Sequence, residues 1–258
     1  MKVFIINLER SLDRKEHMKK QIQKLFEKNP SLKNKLEFIF FKAIDAKNKE
    51  HLEFKDHFPW WGSWVYGKDL DLGNTACFVS HYKLWQECVK LDEPIIILED
   101  DVEFSDEFLN NGEEYIDELL KSEYEYIRLC YLFDKRLYFL SESYGGGYYL
   151  SFKNLSGAQG YVLKPSAAKK FISKAQFIYI PVDDYMDKFY KHKVLNIIKK
   201  PLLLKHSLEL QSNISQLGRN NSQKIKIYRK IIREIFRFYS SILRLSSIIY
   251  IKNRLKLK

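Results

Sequence analysis

A chain of 258 residues, 45% of them hydrophobic, is long enough for one α/β catalytic domain and an appendage. Three cysteines, Cys77, Cys88 and Cys130, lack metal-type spacing and an even count, which argues against a disulfide scaffold and for a reducing compartment. The net charge of +11 suggests a nucleic-acid binder until it is located: residues 222–258 hold eleven Lys or Arg and one acid, Glu234, so the first 221 residues are nearly neutral and no nucleic-acid partner is expected.

In chain order, KVFIINL (2–8) reads as a short buried strand, not as the long apolar core of a secretory signal. Ser11 to about Lys28 has helical spacing, with Leu12, Met18, Ile22, Leu25 and Phe26 on one side. EFIFFKAI (37–44) is a second strand that ends at Asp45. Residues 51–72 are irregular and rich in aromatics, including Trp60, Trp61, Trp64 and Tyr66. Gly73 to Lys90 is helical, with Asn74 or Thr75 expected as cap. IIIL, after Pro94, is the clearest strand and runs straight into Glu99-Asp100-Asp101. A helix is expected near 106–121, a strand at 126–131, a hairpin at 136–152 turning at Gly145–Gly147, a strand at 157–163, and helices at 165–175 and 182–191. VLNIIKKPLLLKH (194–206) supplies one or two late strands. Strand–helix alternation predicts an α/β fold with a mostly parallel central sheet. The polar stretch 211–222 is the expected boundary, giving a catalytic domain at 1–221 and a basic amphipathic tail at 222–258.

Ligands of open α/β sheets bind beyond the carboxyl ends of strands, where the three acids stand. Packed carboxylates repel each other unless a cation pairs with them, and hard oxygen ligands suit Mg²⁺ or Mn²⁺. Strand alternation puts Glu99 and Asp101 on one side, as metal ligands, and Asp100 on the other. The competing reading is a solvated turn in which an acid caps the next helix.

Four segments in order resemble glycosyltransferase family 25, the lipooligosaccharide galactosyltransferase type. They are VFIINLERSLDR, GNTACFVSHYKLW, IIILEDDVEF, and GAQGYVLKPSAAKKF followed by PVDDYM, together spanning residues 3–187. The resemblance implies a GT-A-like nucleotide-binding fold, a divalent metal, and inverting transfer of a hexose, with UDP-galactose the expected donor. The acceptor implied is a lipooligosaccharide or related bacterial surface glycan.

On this reading Asn7, Arg10 and Arg14 follow the first strand, and the two arginines share a helix face and grip phosphate or uracil. Asp45 accepts a ribose hydroxyl, or else serves as a turn residue. Ser80 and His81 face the sugar nucleotide by the family pattern, and Asp100 is grouped with the donor-binding residues. Gly157 lets backbone approach the ligand, and Gln159 bonds sugar hydroxyls, unless the strand is simply tightly packed. Asp183 or Asp184 is the general base, with helix capping as the plain alternative. His206 is a possible further metal ligand, although a Gln-like residue fits the family better there. The tryptophans are either an acceptor platform or loop packing.

Residues 224–250 put Tyr228, Ile231, Ile232, Ile235, Tyr239, Ile242 and Ile249 on one helical face, with Lys226, Arg229, Arg233, Arg237 and Arg244 largely opposite. The segment is too polar to span a bilayer and suits an anionic membrane surface, so the expected location is the inner face of the cytoplasmic membrane. Packing on the body or on another copy is the alternative. A non-catalytic nucleotide-sugar or glycan-binding module is the rival function. A phosphodiester hydrolase is disfavoured for want of a His-rich two-metal pattern.

Overall fold

The structure, a computed structural model, describes residues 1–207 and 227–257. The expected boundary at 211–222, and Lys224, Lys226 and Lys258, lie outside the described residues.

The elements are β1 (Lys2–Asn7), α1 (Leu12–Lys28), α2 (Leu32–Lys35), β2 (Glu37–Lys42), α3 (Gly62–Tyr66), α4 (Leu72–Leu91), β3 (Ile95–Glu99) and β4 (Val102–Phe104). There follow α5 (Asp106–Asn110), α6 (Gly112–Lys121), β5 (Tyr126–Arg128), β6 (Leu137–Ser143), β7 (Gly146–Ser151), β8 (Gly160–Leu163), α7 (Pro165–Lys174), α8 (Val182–Met186), α9 (Phe189–His192), β9 (Ile197–Lys200), β10 (Leu204–His206) and α10 (Ile227–Leu255).

An eight-stranded sheet in the order β2-β1-β3-β8-β5-β9-β7-β6 forms the centre. Only β8 and β7 run against the other six strands, so the fold is the expected mixed, mostly parallel α/β sheet. The pleat sorts side chains to two faces. Phe4, Ile6, Ile95 and Ile97 pack under α4, α7 and α8, around Trp85 and Phe171. Val3, Ile5, Ile96 and Leu98 pack on the other face with Met18, Leu25, Phe108 and Ile116 of α1, α5 and α6.

Several element ends differ from expectation. The cap of α4 is Asp71, whose carboxylate accepts the Asn74 N–H at 2.7 Å, leaving Asn74 and Thr75 inside the helix. The expected 106–121 helix is two helices, because Asn111 interrupts it and the Asn29 side chain bonds the Gly112 N–H at 3.0 Å. A short β4–β10 ribbon, absent from the expectation, pairs His206 with Val102.

The long α10 lies on α3 and α9. Its orientation is the unexpected part. Arg229 reaches Asp69 at 3.7 Å, Arg244 donates from Nε to the Phe152 carbonyl at 3.0 Å, and Ile248 and Ile251 join the core edge. Tyr228, Ile231, Ile235, Tyr239, Ile242 and Ile249 face outward and are exposed, while Ile232 turns inward. The helix thus turns several of its cations onto the body and most of its apolar face to solvent. Among the described residues no helix is long and apolar enough to cross a membrane.

Candidate functional site

The acid strand end lies where β1 and β3 run out side by side, in register from Lys2 opposite Ile95 to Ile6 opposite Glu99. An open cleft lies there, lined by Arg10, Arg14, Asp45, Ser80, His81 and the three acids.

Arg14 stands between Asp100 and Asp101, and Glu99 is held from the other side by His81. Asp100 accepts from Asn7 Nδ2 at 2.7 Å and from Arg14 Nη1 at 2.6 Å. Asn7, Arg14 and Asp100 therefore brace β1, α1 and the strand end against one another. Burial pushes the Asp100 carboxyl up, and Arg14 and Asn7 oppose that rise. The Asp101 Oδ1 is buried with no hydrogen-bond partner among the described residues, and Arg14 is 3.8 Å from its Oδ2. Glu99 stands beside it. Burial first, then the charges of Asp100 and Asp183, push Glu99 up to about 7, and burial and Glu99 push Asp101 up to about 6. Two carboxylates here resist ionising together, the condition that a shared cation relieves. The exposed His206 is close enough for its charge to oppose both rises.

His81 and Ser80 have structural partners. Trp85 Nε1 can only donate, and it donates to Tyr161 Oη at 2.9 Å. Tyr161 then gives its one proton to His81 Nδ1 at 2.9 Å, which leaves His81 Nε2–H facing Glu99 Oε1 at 3.3 Å. Burial drives His81 down to about 3, so the imidazole is neutral, as this chain of donors requires. His81 positions Glu99. Ser80 Oγ donates to the Ala76 carbonyl and accepts the Ile44 N–H, both at 2.9 Å, tying α4 to the end of β2. Both were expected to face the donor; both line the cleft, but with their polar atoms engaged.

Arg10 precedes α1, so it shares no helix face with Arg14; it reaches the cleft rim by pairing with Asp45. Asp45 also accepts the Lys47 N–H at 2.8 Å in a turn. Cys77, His81 and Glu99 bring ligand atoms within 4.8 Å of one another. They fit a cation poorly: burial and the nearby acids hold the Cys77 thiol well above its usual range, and His81 Nε2 carries its proton. Glu99 and Asp101, with an orphaned oxygen and mutual repulsion, fit a hard divalent cation better.

A second wall beside the acids, outside the lining of the cleft itself, comes from residues 155–160. Gly157 has φ +78°, and a Cβ there would collide with Gln159 Oε1. Gln159 is buried, its carbonyl accepts the Glu99 N–H at 2.8 Å, and Oε1 has no partner. Asp183 accepts the Gly157 N–H at 3.3 Å with Oδ2 and the Asp184 N–H at 2.9 Å with Oδ1. Its charge reaches Glu99 and His81. Asp184 points instead into a second cavity, against α10. Of the tryptophans, Trp61 packs on Phe177 and Tyr179, while Trp60 is 76% exposed and meets Trp64 edge-on.

The residues that hold this wall carry no signal in the sequence. Arg128, Asp187 and Asn196 are fully buried. Arg128 donates to Asn196 Oδ1 at 2.7 Å, to Asp187 Oδ1 at 3.0 Å, and to the Gly157 carbonyl. Asp187 Oδ2 accepts the Leu155 and Ser156 N–H groups, each at 3.0 Å.

Comparison with known proteins is consistent with this geometry. The family model described as glycosyltransferase family 25 (LPS biosynthesis protein) matches residues 1–186. The chain is 31% identical over 196 residues to "Procollagen lysyl hydroxylase and glycosyltransferase" of Acanthamoeba polyphaga mimivirus, covering 72% of this chain and 21% of that protein. It is 27% identical over 224 residues to "Procollagen galactosyltransferase 1" of Danio rerio, covering 78% and 35% respectively. Identity to "Lipooligosaccharide biosynthesis protein lic2B" of Haemophilus influenzae is 30% over 179 residues, covering 65% of this chain and 60% of that protein. The chain thus spans less than two thirds of the length of each of these relatives.

Proposed function

The chain belongs to glycosyltransferase family 25, and from that premise we propose that it moves a hexose, with galactose the first candidate, from a UDP-sugar to a glycan or glycolipid acceptor with inversion. The observation that carries this is the partnerless, buried Asp101 Oδ1 beside Glu99 at the mouth of the cleft. Names of relatives, procollagen galactosyltransferase and lipooligosaccharide biosynthesis protein, support the sugar and the acceptor class.

In this reading the donor lies in the cleft. Arg10 is placed for phosphate or uracil and Asp45 for the ribose, and Gln159 Oε1, beside Glu99 rather than in the cleft lining, for a sugar hydroxyl. Glu99 and Asp101, with His206 at the rim, would hold Mn²⁺ or Mg²⁺, which supplies charge neutralisation to the departing diphosphate. Asp183 takes the acceptor hydroxyl proton. The freed oxygen forms its bond to the anomeric carbon on the face opposite UDP, and the bond from that carbon to the phosphate oxygen breaks, its electron pair leaving on UDP. Asp183 is preferred to Asp184 because its charge acts on Glu99 and it adjoins the Gly157 wall, while Asp184 faces the second cavity.

The test is thermal shift with UDP and Mn²⁺ on wild type and Asp101→Asn. Wild type should gain stability by mass action. Asp101→Asn should lose that gain, and with no ligand it should melt no lower than wild type, because it removes a carboxylate repelling Glu99. An undiminished UDP–Mn²⁺ shift in the variant would overturn the metal assignment. Hydrolysis of UDP-galactose by the wild type separates an enzyme from a binding module.

A further inference from the structure

The second cavity, about 560 Å³, lies between the body and α10. Among the described residues its charged lining is one-sided: Lys188, Arg233, Arg237 and Arg244 against the single acid Asp184. Arg233 and Arg237 share Glu234, at 2.9 and 3.1 Å, and that is an exposed pairing of little strength. Lys188 is held over the Tyr179 ring at 5.8 Å, and burial followed by Lys191 drives its ammonium down to about 8, as for a cation short of a counter-charge. Tyr66, Tyr179 and Tyr190 complete the wall, giving flat faces and hydroxyls to a sugar ring.

The cavity begins where the donor site ends. Asp184 is the residue after Asp183, and both charges act on the Tyr66 phenol, which burial first and these acids second push upward. Gly67 closes the corner: its φ is +88°, and a side chain there would strike the Arg233 stem.

We propose that this cavity is the acceptor subsite and that it selects a saccharide bearing a phosphate or carboxylate, gripped by Arg233 and Arg237 with α10 as the outer wall. The inference rests on the transferase reading above, which supplies the reason for an acceptor beside Asp183. Arginine forks match both anions bidentately, and the tyrosines accept the uncharged part of the sugar. The C-terminal helix is then part of the substrate site, which explains why Arg233 and Arg244 turn inward while Arg237 stands at the open rim.

Calorimetric titration of the full chain with glucose 6-phosphate, glucuronate, glucose and inorganic phosphate tests this. Glucose 6-phosphate or glucuronate should bind at least about tenfold more tightly than glucose, and than inorganic phosphate, with affinity falling as salt rises. Arg237→Gln, at a side chain 67% exposed, should weaken it about tenfold. Ser241→Asp, which adds a negative charge to the lining, should do the same. Lys169→Gln, an equal charge change on exposed α7 surface, should not. Equal affinity for glucose and both anionic sugars would overturn the proposal, as would equal affinity for inorganic phosphate or indifference to both lining variants. If wild type binds the anionic sugar as described yet with Mn²⁺ neither binds nor hydrolyses UDP-galactose, UDP-glucose or UDP-GlcNAc, the transferase reading falls and the anionic-saccharide site stands.

Discussion

Replacing Asp187 by Ala isolates the group that holds the second wall of the site. Asp187 is buried and bonds Arg128 Nη2, Asn196 Nδ2 and two backbone N–H groups, of Leu155 and Ser156. Its removal leaves Arg128 as an uncompensated charge in the core, a loss of about 3–5 kcal/mol for breaking a buried pair. The two amides, orphaned in the same step, would add about 1–3 kcal/mol each if counted alone. The four bonds form one network, so the sum overstates the loss, and about 4–6 kcal/mol is the expected range. Against a total stability of about 5–15 kcal/mol, the variant should show a much lower urea midpoint. Arg128→Met combined with Asp187→Leu removes both charges and fills the space, so it should cost less than Asp187→Ala alone. Its remaining deficit measures the loss of the bonds to Asn196, Leu155, Ser156 and the Gly157 carbonyl. A single-variant loss below about 1 kcal/mol, or a double variant weaker than the single, would refute the assignment of a buried charge network.

Two further perturbations separate other parts of the argument. His192 is buried, and its Nδ1 accepts the Val194 N–H at 3.1 Å; burial drives it down to about 3, so between about pH 6.5 and 3 the unfolded chain binds a proton that the folded chain refuses, and stability falls as pH falls. Urea unfolding at pH 6.5 and 5.0 should show His192→Asn losing about 2 kcal/mol less than wild type over that interval, and parallel losses would count against a neutral imidazole. For α10 we propose an anionic membrane surface as the occupant of the outward apolar stripe, because Lys230, Arg254 and Lys256 are also exposed on this helix or just past its end. Ile231→Ser, Ile235→Ser and Ile242→Ser together, all at exposed positions, should weaken partition onto phosphatidylglycerol vesicles about 100-fold; unchanged partition would remove this idea and the inner-membrane location with it.

What the sequence made legible followed from local rules. IIIL before three acids reads as a strand carrying carboxylates to a sheet edge; β3 ends at Glu99, so Asp100 and Asp101 stand in the turn after it, where strand alternation does not govern them and the bonds to Asn7 and Arg14 fix Asp100. The amphipathic character of 227–255 was equally local. Which face turns inward was not, because it depends on what the body offers: a carboxylate at Asp69 and a carbonyl at Phe152 attract the basic side. The Arg128–Asp187–Asn196 network was illegible for the same reason. Each residue alone is an ordinary polar residue in a short element, and the bond from Arg128 to Asn196 spans 68 positions. Likewise Ser80 and His81 stand in a recognisable motif, yet only the packed structure reveals that Ile44, Tyr161 and Glu99 occupy their polar atoms.

Strand direction links these pieces. Strand–helix alternation says nothing about the sense of a strand, and β8 is inserted between β3 and β5 against both. In a parallel strand, the loop before it would lie at the amino edge of the sheet, far from the acids. Because β8 is reversed, its first residue, Gly160, pairs with Leu98 at the carboxyl end of β3, and the preceding loop arrives directly at the acid cluster. That is why the Gln159 carbonyl can take the Glu99 N–H, and why Gly157 can bond Asp183. A Cβ at Gly160 would strike Leu204 of β10, so the same close packing also seats the ribbon that brings His206 beside Asp101. One reversed strand thus gathers, from four distant stretches of chain, the metal-binding, donor-facing and base residues that the proposed transfer requires.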